Sequence, residues 1–263
     1  MVLDESGNTI DIESYYNNEG EYSTTVGYLG CAAGRASLAG GNNSLATAYN
    51  SFAYGGQCNA LAPNSFVTGW GGRAYGHDSF IFGTDCVTGD FKNPDNTKGR
   101  SSICGGIESK ALGEYTVAIG YAAKAFNRCS VALGNTVHAK GTGSFAVNLL
   151  NSAYGYASFA SGKGKSMADQ VLFSDVIVPV NTLNILTEEE FSGIEDKNTR
   201  INYIKDRWLK AVSTEMDNGF SLAYGVASRV GGMECLALDD SAVAEGYRSM
   251  AQGAESKAFG LMC

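Results

Sequence analysis

A seven-residue phrase governs this chain. From Thr116 onward one pattern keeps returning: a small residue, any residue, Ala, any residue, Gly. Ser130-Val-Ala132-Leu-Gly134 is the cleanest copy, and Ser144-Phe-Ala146-Val-Asn148, Asn151-Ser-Ala153-Tyr-Gly155 and Ser158-Phe-Ala160-Ser-Gly162 hold the register. A short fixed period limits the fold severely, because each unit can bury its face only against its neighbours. The phrase fills three blocks. The first spans 23–90 and opens its units at Ser37, Ser44, Ser51, Cys58, Ser65, Gly72, Ser79 and Cys86; the second spans 102–167 and the third 221–263.

The intervening segments read differently. Residues 91–101 break the register, and Asn93-Pro94-Asp95-Asn96 has turn chemistry, so this is a loop insertion. Residues 168–220 do not repeat. Within them Val171 to Val180 reads as an extended arm, and Thr187-Glu-Glu-Glu190 has capping-box spacing. Ile201, Ile204, Trp208, Ala211 and Val212 recur at helical spacing, ending near Asn218-Gly219. The expectation is a helical insertion with one apolar face and Trp208 as a packing anchor. Residues 1–22, acidic and polar, read as an N-terminal arm that docks or frays.

Positions one, three and five of each unit alternate, as residues on one face of a strand do. They are almost all Ser, Ala and Gly, so two strands can approach closely around a thin core. The remaining two residues make a tight turn, often with Asn, Asp or Gly, as at Asn42-Asn43, Gly71, Asp78, Asp85 and Asn135. Positions two and four give the outer faces, and there the period doubles to fourteen: one turn, two strands, two different faces. One outer face is apolar, with Phe52/Tyr54, Phe66, Phe80/Phe82, Val117/Ile119, Val131/Leu133, Phe145/Val147 and, in the third block, Leu236/Leu238. The other is mixed, with Arg73/Tyr75, Lys124/Phe126, His138/Lys140, Tyr154 and Lys257. An apolar face this long is rarely left in water, and identical repeats on identical chains make self-association the simplest cover. The apolar set is therefore the expected subunit interface. The mixed set is the candidate ligand-binding surface, with the alternative that these are ordinary surface residues. His138 is expected to be solvated beside Lys140.

Composition narrows the function. Glycine is abundant at 34 of 263 residues and proline scarce at 3, which suits a repetitive β structure and not a linker. The formal charge of −8 with no basic run argues against nucleic-acid binding. No apolar run is long enough to span a membrane, and Met1-Val-Leu-Asp-Glu-Ser lacks the marks of a secretory signal. The chain stops at Cys263, on the opening position of another unit, so truncation or a covered end is expected. The seven cysteines form no C-x-x-C pair, and with only His77 and His138 as imidazoles no metal site or cofactor is expected. Cys58, Cys86, Cys235 and Cys263 occupy the small opening position. They read either as thiol or disulfide sites or as buried stand-ins for Ser. Cys58 and Cys86 lie two fourteen-residue turns apart, about 9.6 Å, beyond the roughly 7 Å reach of a disulfide. Free thiols point to assembly in a reducing compartment.

The phrase Ser-Val-Ala132-Leu-Gly134-Asn, repeated at fourteen, resembles the YadA-like head of trimeric autotransporter adhesins. The resemblance implies a mainly β chain built as a left-handed parallel β-roll, three rolls packed round a threefold axis, and binding to a surface glycan or protein receptor. Similar head repeats occur in bacteriophage fibres, which assemble in the host cytosol and tolerate free thiols. The expectation is thus a homotrimeric fibre head on a virion surface, with a virion docking protein as a further partner. The alternative is the head of a bacterial surface adhesin. A glycan-degrading fibre enzyme would need a carboxylate pair in a cleft. Glu188, Glu189, Glu190, Glu195 and Asp196 cluster, but where helix starts collect acids anyway. No catalytic residues are expected. Left-handed β-helix acyltransferases repeat every six residues, which sets this chain apart from them.

Overall fold

The computed structural model describes residues 2–3, 9–10, 20–90, 98–162, 196–213, 221–233 and 235–263. Val2–Leu3 and Thr9–Ile10 pair antiparallel; the rest of the expected N-terminal arm, the extended arm at 171–180 and the capping box at 187–190 lie outside the described residues. Compactness divides the chain at 133/134, inside the second repeat block and not at either insertion.

Unit 1 is a parallel β-solenoid of the expected kind. Each fourteen-residue coil gives one five-residue strand and one two-residue strand. The long strands run from Thr24–Tyr28 through Phe52–Gly56, Phe66–Trp70 and Phe80–Thr84 to Val117–Tyr121. Pairing is in strict register, with Phe52 opposite Phe66 and Phe66 opposite Phe80. The register survives the loop: Phe80 pairs with Ile103 and Val87 with Lys110. The short strands stack as a second parallel sheet, Asn59 beside Arg73 beside Val87.

The small-residue face fills the space between the two sheets, as the spacing predicts. Ala39, Ala53, Ala60, Ala74, Ala111 and Ala118 are fully buried. Where the column widens to Val67 and Ile81, the opening residue shrinks to Gly72, whose added Cβ would meet Val67 Cγ1 at 2.9 Å and Ile81 Cγ2 at 3.1 Å. The turn residue of every unit takes φ near +55°, including Asn43, Asn50, Asn64, Asp78 and Asp85. Asn and Asp tolerate that region best. Along one turn column Asn50 Nδ2 donates to Asn64 Oδ1 at 3.1 Å and Asn64 Nδ2 donates to Asp78 Oδ1 at 2.9 Å, so the amides form a ladder.

The opening position of the short-strand units has a specific task. Ser44, Cys58, Cys86 and Ser109 each donate to the carbonyl of a glycine in the next coil, Gly55, Gly69, Gly106 and Gly120, at 3.0–3.4 Å. In unit 2 Asn151, Cys235 and Ser249 do the same toward Gly162, Gly246 and Gly260. Cys therefore stands in for Ser as a small inward donor, and every cysteine is free. Cys58→Ser should keep this bond and change stability by less than about 1 kcal/mol, whereas Cys58→Ala orphans no donor but leaves the Gly69 carbonyl short of one. Urea unfolding of the two variants checks the order. A Ser variant less stable than the Ala variant would show that sulfur volume matters more than donation.

Unit 2 carries the same two sheets, with long strands Phe145–Leu149, Arg229–Met233, Val243–Tyr247 and Lys257–Leu261 and the shorter Phe159–Ala160. Ser152 pairs directly with Leu222, and Phe159 with Arg229, so the solenoid closes across the insertion without loss of register. The insertion supplies helix α1, Lys197–Ser213. Its N-cap is Asp196, whose Oδ2 accepts from the Thr199 N–H at 2.7 Å and from Thr199 Oγ1 at 2.8 Å. One member of the acidic cluster is thus a helix cap. Ile201 and Ile204 of α1 pack on Leu222, Leu236 and Leu238 of the short-strand sheet, flanked by Tyr154, Tyr203, Tyr224 and Met250. Lys205 Nζ donates to Gln252 Oε1 at 2.7 Å and ties the helix down. The Trp208 side chain lies outside the described residues.

Candidate functional site

Two outer surfaces result, one on each sheet. On the long-strand sheet of unit 1, positions two, four and six point outward together. Position two carries Phe52, Phe66 and Phe80 as a stacked ladder, with ring centroids 4.3 and 5.0 Å apart and planes 2° and 14° from parallel. Ile103 and Val117 continue it in register. Position four carries Tyr54, Phe82 and Ile119. Tyr54 and Phe82 lean over glycines of neighbouring coils, since a Cβ on Gly40 would lie 2.5 Å from the Tyr54 ring and one on Gly105 2.2 Å from the Phe82 ring. Position six adds Trp70 and Ile107, 49% and 47% exposed. Ile103 escaped the sequence reading because the outer-face count was not continued straight across the loop, and Trp70 and Ile107 because the sixth position was read as turn. The face is largely apolar, broken by Thr68 at position four and Thr84 at position six, and much of it is open to solvent in the single chain.

On the long-strand sheet of unit 2, Phe145 stacks on Phe159 at 5.5 Å, with Val147 on the same strand as Phe145. In unit 1, Val131 and Leu133, half-buried, sit on the strand Val131–Asn135. Past the insertion the long-strand face becomes mixed, with Val243, Phe259 and Leu261 beside its charged residues. Arg229 pairs with Glu245 at 3.1 Å and lies over the Phe159 ring at 5.5 Å. Lys257 belongs here too, opposite Val243.

This corrects three assignments. Leu236 and Leu238 are not on the face of Phe52 and Phe66. They continue the short-strand sheet, pairing through Leu222, and α1 buries both to 0% exposure. Lys257 is not on the mixed face of Arg73 and Lys124 but on the long-strand sheet. Both errors have one cause: the insertion restarts the repeat on the short-strand half of the coil. The apolar and mixed characters change sheets there. His138, expected in solvent, is only 4% exposed.

The mixed face on the short-strand sheet of unit 1 carries Arg73, Lys110 and Lys124 in one column and Tyr75 and Phe126 in the next. Lys110 was missed because in the second block the outer-face pattern was followed only from Val117 onward. Burial pushes the Tyr75 phenol above its ordinary range, and nearby Arg73 offsets part of this. In unit 2, Lys140 Nζ donates to Tyr154 Oη at 2.6 Å and sits over that ring. Tyr154 in turn packs against the cluster under α1. Inside unit 1 the Cys86 and Cys104 thiols hydrogen-bond each other. That bond lowers the Cys86 thiol and, together with burial, drives Cys104 well above its ordinary range. Both are fully buried, so they are core groups and not an accessible nucleophile. Among the described residues no helix is long and apolar enough to cross a membrane.

Comparison with known families agrees with the repeat. The YadA head domain repeat matches at residues 106–123, 111–136 and 244–261, in both units. Over these segments the chain is similar to the YadA head domain repeat. No curated protein matches it.

Proposed function

We propose that this chain is the head of a homotrimeric, non-enzymatic fibre that presents an elongated surface for attachment to a glycan or protein receptor. The observation that supports trimerisation is the long-strand face of unit 1. Its position-two column is apolar from Phe52 to Val117, and within the single chain Tyr54, Trp70, Phe80, Phe82, Ile103 and Ile107 remain open to solvent. A contiguous apolar surface of this kind marks an interaction site. YadA head repeats belong to trimeric adhesin heads, which favours three copies over two. The small-residue interior builds each roll, and Phe52, Tyr54, Phe66, Phe80, Phe82, Val117, Ile119, Val131, Leu133, Phe145 and Val147 build the interface. Attachment falls to the mixed face, with Arg73, Tyr75, Lys124 and Phe126 in unit 1 and Lys140 and Tyr154 in unit 2.

A virion fibre is favoured over a bacterial surface head by the thiols. All seven cysteines are free and five are buried as inward donors or core residues, an economy suited to assembly in a reducing cytosol. Sedimentation equilibrium of the chain at low and at high salt tests the assembly. The expected mass is three times 27.6 kDa, insensitive to salt because the seam is apolar. A monomer at both salts overturns the interface.

A further inference from the structure

The turn arginines and the sheet cations of unit 1 are treated differently by their surroundings. Arg35, Arg100 and Arg128 project at turns, and each meets an acid: Glu21 at 3.3 Å, Asp78 at 3.9 Å and Glu114 at 3.5 Å. On the short-strand face, Arg73 and Lys110 are exposed, and among the described residues neither forms an ion pair. Strand register aligns them. Arg73 pairs with Val87, Val87 with Lys110, and Lys110 directly with Lys124. At about 4.8 Å per coil, the column spans roughly 14 Å along the roll. Two lysines side by side in a parallel ladder repel each other, and a shared anion removes that cost. From Asn59 to Phe126 the two outward columns of the short strands contain no Asp or Glu. In a chain of net charge −8 this is a local reversal of sign.

We infer that this strip, Arg73, Lys110 and Lys124 with Tyr75 and Phe126 alongside, binds a linear anionic glycan lying along the roll axis. The inference deepens the attachment reading and rests on it. The cations recur at coil spacing, which suits acid groups carried one per sugar or per pair of sugars. Tyr75 and Phe126, two residues on from Arg73 and Lys124, offer half-buried ring edges and faces to the apolar side of sugar rings. Duplex nucleic acid fits less well. It carries a charge about every 1.7 Å and is held by many phosphate contacts. Three cations on an acidic body cannot supply that number.

The experiment measures binding of the whole chain to four immobilised probes: a heparin dodecasaccharide, a hyaluronan oligosaccharide, a neutral dextran and duplex DNA. The expected result is binding to one or both acidic glycans, none to dextran, and none to DNA at physiological salt. Hyaluronan binding points to carboxylate recognition, and heparin alone to sulfate. The doubly reversed Lys110→Glu/Lys124→Glu variant should lose at least about tenfold in affinity. The slope of log affinity against log salt should fall by about one per cation removed. Arg248→Glu, at a turn of unit 2, should leave binding unchanged, and matching melting curves should show that all variants fold. Glycan binding unaffected by the double reversal overturns the strip and leaves attachment standing. Binding to dextran or DNA but to neither acidic glycan overturns the ligand class. If no probe binds and a wider glycan and protein array is also silent, the attachment reading falls with it.

Discussion

Gly69→Ala should destabilise unit 1 by about 2–6 kcal/mol, from backbone strain of about 1–3 and overpacking of about 1–3. Gly69 holds φ +111°, where an L-residue is strained, and its added Cβ would sit 2.0 Å from the Gly83 carbonyl oxygen of the next coil. Neither neighbour can yield. That carbonyl belongs to a strand locked in register, and the next glycine repeats the same contact against Gly106 at 2.0 Å. Two other positions in this column separate the causes. Gly260 holds φ +132°, but its Cβ would meet only Cys263 Sγ at 3.0 Å, so Gly260→Ala should show the strain without the backbone clash. Asn148 occupies the column at φ +81°, but Gly69→Asn puts the same Cβ against the Gly83 carbonyl and should cost about as much as Gly69→Ala. The midpoint of urea unfolding, read by near-ultraviolet circular dichroism of the whole chain, ranks the three. If Gly69→Ala unfolds with the wild type, the glycine is not required by the close stacking of coils.

That column was legible in the sequence as the fifth position of the phrase, as were the small interior, the fourteen-residue coil and the turn residues. Each is set by contacts between residues seven or fourteen apart, which the repeat itself encodes. The polarity of the outer faces was equally legible within a block, since Phe52, Phe66 and Phe80 lie on one strand sheet by spacing alone. It failed across 168–220. A segment of unknown path hides whether the next unit begins on the long or the short half of the coil, and a half-coil error transfers Leu236, Leu238 and Lys257 to the wrong sheet. His138 failed for a different reason. Its place on an outward column was read correctly, but whether a second layer covers that column is a long-range property that no local pattern carries.

The half-coil correction makes a second large effect testable. Leu236→Asp should release α1 and cost about 3–5 kcal/mol, the penalty of an unpaired buried charge. Leu236 is fully buried against Ile201 and Ile204 in a predominantly apolar cluster. Burial raises the pKa of such an Asp above its unfolded value of about 4, so the damage is complete above the raised pKa and eases as the pH falls from there toward about 4. Loss of helical circular dichroism and of amide protection across Lys197–Ser213 reads the release. The proposed trimer should persist, because its proposed seam is on the other sheet. Phe66→Glu should do the reverse. Phe66 is half-buried in the middle of the ladder, with ring neighbours at 4.3 and 5.0 Å. A charge there can reach water in a single chain but not in the packed seam. Its sedimenting mass should fall to that of one chain, with α1 still protected. The two variants thus move different observables, and each controls for general unfolding in the other. If Leu236→Asp lowers the mass while α1 stays ordered, the short-strand face is the seam and the helix is not its cover.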